Sequence, residues 1–205
     1  MVTLALVVAN VLVFVIELSQ GSGEIDGFVR RWGVVPLDVR EGPAAAVTLL
    51  SSTFLHAGWF HLAANMVYLA VFGPPVERRL GSVRFMLLYV SSGLIGGLAY
   101  VLAQPLSAAP AVGASGAIAG VIGAYLVLFP GTTLGSLAPV LFLHVVESTP
   151  TLLLLLLWLL TQVFSSVASL TTTTGIAWWA HLGGFASGLV FASVLRPPQQ
   201  LTRGR

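Results

Sequence analysis

The sequence predicts an all-α polytopic membrane protein: six transmembrane helices in one membrane domain over residues 1–205, with no soluble domain. Two observations carry this. Of 205 residues, 57% are hydrophobic and only 8% charged, a balance that no soluble core requires. The apolar residues fall into runs of roughly the 20 needed to cross a hydrocarbon slab ~30 Å thick, and short polar or Pro/Gly-containing breaks separate them.

The runs place helices at about 2–18, 60–74, 84–103, 114–129, 150–168 and 176–195. The first lacks a basic n-region and a small-x-small cleavage pattern before Glu24-Ile25-Asp26, so it reads as a span and not as a signal peptide. The connection 19–59 is the longest and most polar, yet Trp32, Phe54, Leu55, Trp59 and Phe60 within it favour the membrane interface, which puts part of it in the outer leaflet. The segment 134–146 is apolar but short, and Gly131, Gly135, Pro139 and Pro150 interrupt it or flank it, so it reads as a loop or interfacial piece.

Charge sets the orientation. Nine Arg and no Lys stand against seven acids, a formal net charge of +2, and the charges lie between apolar runs and not in a basic tract. Nucleic-acid binding has no support. One side of the six-helix scheme holds Arg78, Arg79, Arg84, Arg196, Arg203 and Arg205. The other holds Arg30, Arg31 and Arg40, diluted by Glu24, Asp26, Asp38 and Glu41. Both termini are therefore expected in the cytoplasm. The chain has no cysteine, which excludes disulfides, thiolate metal sites and a Cys nucleophile.

Polar side chains on spanning helices are costly unless paired, so each is a functional candidate. Four stand out: His61 and Asn65 at the top of the second helix, Ser115 at the start of the fourth and His181 early in the sixth. With both termini inside, these three helices all begin outside, and at 1.5 Å rise per residue the four depths agree within ~8 Å. Gly116 with Gly120, and Gly184 with Gly188, have the four-residue spacing that lets helix backbones approach closely in lipid. Such packing brings Ser115 towards His181.

A serine hydroxyl is a weak nucleophile and needs a base within ~2.6–3.2 Å to take its proton, and His181 is the base at that level. Acyl transfer also needs donors for an oxyanion. His61 and Asn65, at i and i+4 on one helix face, and the Ser115 backbone N–H in a first helical turn can supply them. Glu17, Glu77 and Glu147 fall in other regions, so the expectation is a Ser–His dyad without an acid, its imidazole held by packing and backbone contacts. No cofactor or metal is expected: His56, His61, His144 and His181 form no H-E-x-x-H pattern, and His144 belongs on the opposite side.

Alternatives exist for each residue. A lone serine in a Gly/Ala-rich membrane helix is by default a packing residue, a lone intramembrane histidine a hydrogen-bonded packing residue or ligand, and Asn65 a cross-link between helices. His56 reads as structural, satisfying loop carbonyls. Glu77 with Arg78 or Arg79 reads as a loop ion pair, and Trp178 and Trp179 as interface anchors.

In combination, His56-x4-His61-x3-Asn65, Glu77-Arg78-Arg79-Leu80-Gly81, Gly113-Ala114-Ser115-Gly116 and Ala180-His181-x2-Gly184-x3-Gly188 resemble the rhomboid intramembrane proteases, in order and spacing, from about residue 30 to 190. The resemblance implies a rhomboid-like core of six helices and an intramembrane serine endopeptidase. Ser115 would be nucleophile, His181 base, His61 and Asn65 oxyanion donors, and Gly113 and Ala114 part of the oxyanion and substrate-binding site. It implies transmembrane segments of single-pass proteins as substrates, a bacterial plasma membrane as location, an active site open to the extracytoplasmic side, a cap formed by about 168–176 and a lateral gate formed by the fifth helix. One position departs from the family pattern. Ala119, four residues after the nucleophile, stands where an aromatic often packs on the imidazole, so Trp178, Trp179 or Tyr125 is expected to fill that space. The rival within the same resemblance is an inactive member that binds transmembrane helices without cutting them; the rival outside it is a small transporter, whose inverted repeat is not evident.

Overall fold

The computed structural model describes residues 1–21, 23–42, 46–133, 150–170 and 176–195, apart from the side chains of residues 40 and 41. Among them the secondary structure is helical, with only two isolated β-bridges, Val34 to Ala111 and Thr133 to Pro150. The segment 134–146, His144, Glu147, the central part of the 168–176 cap, Arg196, Arg203 and Arg205 lie outside the described residues.

Six long helices occur where the apolar runs place them: α1 Val2–Leu18, then α5 Trp59–Leu80, α6 Ser82–Ala103, α7 Ser115–Leu128, α8 Thr151–Ala168 and α9 Trp178–Leu195. The described residues of the long polar connection after α1 carry the short helices α2 Ile25–Trp32, α3 Pro36–Glu41 and α4 Thr48–Ser51, with a 3₁₀ turn at Ser52–Phe54. Three of the long helices, α6, α8 and α9, are long and apolar enough on their own to cross a membrane, and α4 with its 3₁₀ turn and α5 form a bent pair that passes the same test together. Helices α1 and α7 are apolar but shorter. With its abundance of exposed aliphatic side chains, such as Leu4, Leu12, Leu153, Leu157, Val190 and Val194, the chain is an integral membrane protein.

The second long helix departs from its expected end at 74. It continues through Pro74 and Pro75 to Leu80, and Gly81, at φ 82°, turns the chain into α6. Two prolines leave the carbonyls of Ala70 and Val71 without their usual intrahelical donors, a local cost that propensity alone reads as a stop. Burial overrides it, because Val76 and Leu80 are sealed in the core on the far side of the prolines. Glu77 consequently lies on a helix and not in a loop. Its carboxylate does not make the ion pair with Arg78 or Arg79 read from the sequence; it accepts from the backbone N–H of Val2 (2.7 Å) and of Thr3 (2.9 Å), from Thr3 Oγ1 (2.6 Å) and from Ser82 Oγ (2.8 Å). The orphan donors of the α1 N-terminus thus find a charged acceptor, which also answers the helix dipole and ties α1 to the α5–α6 corner.

Helix α7 is the centre of the bundle. Every residue from Gly116 to Tyr125 is buried, against α9, α6 and α5. Small residues make this possible. A methyl group on Gly184 would run into the Gly116 carbonyl and one on Gly188 into the Gly120 carbonyl, so α7 and α9 meet backbone to backbone as the spacing of the four glycines requires. The same holds towards α6, where a Cβ on Gly96 would come within 2.6 Å of the Ala180 carbonyl oxygen. Helix α8 stands apart: it packs mainly on α9, and its buried residues reduce to Thr151, Leu155, Gln162 and Ser166.

Two stability outcomes are expected. Gly188→Val forces α9 off α7 and should lower the thermal midpoint of the detergent-solubilised protein by the equivalent of at least ~1–3 kcal/mol, whereas Gly27→Ala on the exposed α2, with open space around it, should leave the midpoint unchanged or slightly raised. Glu77→Gln, which loses a charged acceptor for four donors, should cost about 1.5–3 kcal/mol in the same measurement.

Candidate active site

The glycine contact between α7 and α9 sets two side chains against each other. Ser115 is the first residue of α7 and His181 lies in the first turn of α9. The distance from His181 Nε2 to Ser115 Oγ is 2.7 Å, a full hydrogen bond. The strand-like stretch before α7 is pinned from outside the bundle: Val34 and Ala111 exchange backbone hydrogen bonds of 3.0 and 2.9 Å, and the Gly113 N–H donates to the Ser52 carbonyl at 2.8 Å. These bonds fix where α7 starts, and with it the serine.

The proton positions follow from counting donors. On α8, Gln162 donates through Nε2 to the Trp158 carbonyl (3.2 Å) and to Thr161 Oγ1 (2.9 Å), and Thr161 Oγ1 gives its own hydrogen to the Trp158 carbonyl (2.6 Å). With both hydrogens of the amide turned that way, Gln162 Oε1 is left as a pure acceptor, and it lies 2.7 Å from His181 Nδ1. Nδ1 must therefore carry the hydrogen, and Nε2 is the bare nitrogen that faces the serine hydroxyl. This is the tautomer a general base requires.

Aromatic rings enclose the imidazole. Trp158 lies nearly parallel to it, 29° and 6.5 Å between centroids, and Trp178 meets it edge-on at 5.7 Å. Trp178 was expected as an interface anchor or as a filler of the space left by Ala119, and it takes the second role together with Trp158, which the sequence reading did not single out. Tyr125 does not contribute: it packs on Phe72 and Phe129. Trp179 buries its Nε1 and is likewise not an exposed anchor.

Across the serine stands His61. The Ala57 N–H donates to its Nδ1 at 3.3 Å, so Nε2 is the protonated, donating nitrogen. A Cβ placed on Gly113 would lie 2.8 Å from that Nε2 and 3.6 Å from Ser115 Oγ. The absent side chain of Gly113, whose φ of 130° few other residues adopt, thus marks a small space between a donor and the serine hydroxyl, of the size of one oxygen atom. Asn65 lines the same cavity one turn further, with one amide hydrogen directed at the His61 carbonyl at 3.1 Å and the other left over. Ala114 is different: its side chain is fully buried in the core and only its backbone borders the serine. The N–H of Gly113 is used by Ser52, so that residue offers space and not a donor. His56 is almost completely buried between Phe14 and His61, the two imidazole centroids 5.2 Å apart, and its ring interacts with the Phe54 backbone of the preceding loop without reaching full hydrogen-bond geometry.

The serine, both site histidines and Asn65 open into one cavity of about 500 Å³. Ser115, His181, His61 and Asn65 form its polar end, and Ala64, Tyr68, Ile118, Ala119, Ile122 and Trp158 extend it as an apolar slot between α5 and α8. Among the described residues no cluster of His, Asp or Glu suited to a metal ion occurs. Gln162 is the residue the sequence reading missed. Its signal was present: a lone amide in the leucine-rich α8, on the same helical face as Leu155 and Trp158, is subject to the cost that singled out the other four polar residues.

Comparison with known proteins agrees with this arrangement. The putative rhomboid protease YdcA of Bacillus subtilis is 44% identical over 89 residues, 42% of this chain and 44% of its own length. RHOMBOID-like protein 4 of Arabidopsis thaliana is 33% identical over 147 residues, 72% of this chain and 33% of its own. The inactive rhomboid protein 1 of Drosophila melanogaster is 33% identical over 96 residues, 47% of this chain and 7% of its own. The chain thus spans less than half the length of each of these relatives. With the Rhomboid domain model matching residues 43–198, most of the chain and every long helix that lines the cavity, this protein belongs to the rhomboid family.

Proposed function

We propose that the protein is an intramembrane serine endopeptidase that cleaves transmembrane segments of single-pass membrane proteins, with Ser115 as nucleophile and His181 as general base. The observation that carries the reading is the 2.7 Å contact of Ser115 Oγ with an unprotonated His181 Nε2 inside a cavity that also holds the donor His61. In the first step Nε2 takes the hydroxyl proton as Oγ attacks the scissile carbonyl. The carbonyl oxygen becomes an oxyanion, held by His61 Nε2–H, the free amide hydrogen of Asn65 and the backbone N–H of Ser115. The proton then passes from Nε2 to the leaving amine and the acyl-enzyme remains. A water deprotonated by Nε2 opens the ester and regenerates the serine.

The six long helices act as six spans in this reading. Both termini lie in the cytoplasm, consistent with the Arg distribution, and the cavity opens towards the extracytoplasmic side. Helix α7, with 14 residues at 1.5 Å each, is only ~21 Å long, so a serine at its N-terminus sits below the surface of a ~30 Å hydrocarbon slab. The apolar slot between α5 and α8 suits a segment arriving sideways from lipid. A helical peptide bond is shielded by its own hydrogen bonds, so substrates are expected to carry small or helix-breaking residues near the cut. The rival reading, a family member that binds helices without cutting them, lacks a specific observation in its favour here.

The test is labelling and cleavage. The purified protein should react with a serine-directed fluorophosphonate and cut a model single-pass protein near the outer end of its span. Ser115→Ala should abolish both, and His181→Ala should lower kcat/KM by ~10²–10⁴. Folded wild-type protein that neither labels nor cuts would make it a binder. His61→Ala, which removes one oxyanion donor, should lower kcat by about 10²–10³ with KM little changed.

A further inference from the structure

Serine–histidine pairs are commonly steadied by a third group that bonds the far nitrogen of the imidazole. Among the described residues no acid lies against His181, yet the place is filled: Gln162 Oε1 accepts from Nδ1 at 2.7 Å. We propose that Gln162 is the positioning residue of this site, a neutral amide that holds the His181 ring and its tautomer in the state that activates Ser115. The proposal rests on the proteolytic reading above and extends it to a residue on a different helix.

Three observations support it. Gln162 is 96% buried on a helix rich in leucine and largely turned to lipid, so its amide is retained in a place where an unpaired polar group is costly. Its orientation is fully determined, because the two hydrogens are taken by the Trp158 carbonyl and Thr161 Oγ1, which leaves no freedom to present a donor to the histidine. And the same helix face supplies Trp158, one turn earlier, whose ring covers the imidazole. Helix α8 thus contributes both the face contact and the edge contact that fix the ring. A neutral partner has a chemical consequence: it selects the Nδ1–H tautomer as a carboxylate would, but without the charge that stabilises the imidazolium formed during attack.

Around the imidazole stand Ser115 from α7, Trp158 and Gln162 from α8, Trp178 from its own helix and, across the cavity, His61 from α5. Of these only His61 is itself an ionisable ring, so a carboxylate at 162 would be the one acid placed against His181.

The experiment uses the full chain in detergent, with Gln162→Leu and Gln162→Glu beside the wild type and Ser115→Ala. Rates of fluorophosphonate labelling report on the serine independently of substrate entry, and ¹⁵N NMR of the histidine rings reports the tautomer independently of activity. In the wild type His181 should be the Nδ1–H form. Gln162→Leu should lose that preference and label and turn over at least ~10-fold more slowly, with KM within about 2-fold, part of the general-base contribution being lost. Gln162→Glu should recover the rate near pH 8 and move the acidic limb of its pH profile upward, since an ionised carboxylate favours the imidazolium and more base is needed to free Nε2. An Nε2–H His181 in the wild type, a Gln162→Leu enzyme as fast as the wild type, or a Gln162→Glu enzyme as slow as Gln162→Leu with an unmoved pH profile would each overturn the proposal. Wild type that fails to label while His181 shows the Nδ1–H form would overturn the proteolytic reading and leave the structural bond standing.

Discussion

The closeness of two helix backbones governs everything at this site. Helices α7 and α9 approach until the carbonyls of Gly116 and Gly120 fill the space where side chains on Gly184 and Gly188 would be. In lipid no hydrophobic force drives such an approach, since the acyl chains are as apolar as leucine; dispersion between tightly fitted surfaces and the removal of polar groups from hydrocarbon supply it. A hydroxyl and an imidazole carried on those helices can then hydrogen-bond directly. At an ordinary interaxial distance of 8–10 Å they would need longer side chains or a water between them.

Around that contact the chain arranges its support in shells of decreasing rigidity. The serine is fixed by α7, which is buried throughout, and by the backbone bonds of the stretch before it to Val34 and Ser52. The histidine is fixed on one side by the same bundle and on the other by α8, which touches the fold along a narrow stripe. The cavity opens between α5 and α8. The least embedded helix therefore borders the cavity, and it carries Gln162 and Trp158, which hold the imidazole. A site arranged this way keeps its hydroxyl on the most deeply buried helix, while the amide that bonds the imidazole belongs to a more loosely packed element.

Energetically the polar groups are handled by pairing and not by exposure. Glu77 receives four donors at the α1 N-terminus, and the Thr161–Gln162–His181–Ser115 chain closes its hydrogen bonds end to end. Each of these replaces water that the bilayer does not offer. The ring of His56 is a contrasting case, buried against Phe14 and His61 with no full hydrogen bond to either nitrogen; it backs the His61 ring by shape.

Composition and run length determined that the chain is a helical membrane protein, and the starts of α1, α6, α7, α8 and α9 were readable to within two residues, because lipid forces apolar stretches of set length into helices. The glycine spacings and the positions of Ser115, His61, Asn65 and His181 were readable for the same reason: a polar group costs so much at that depth that its presence is a signal. Tertiary structure alone decided the rest. It carried α5 through Pro74-Pro75, since burial of Val76 and Leu80 outweighs a local propensity, and it turned Glu77 from a loop ion pair into a cap for a helix 74 residues earlier. It also decided what holds the imidazole. Gln162 and Trp158 are bonded to nothing near His181 along the chain, and only the docking of α8 on α9 brings an amide oxygen to a ring nitrogen.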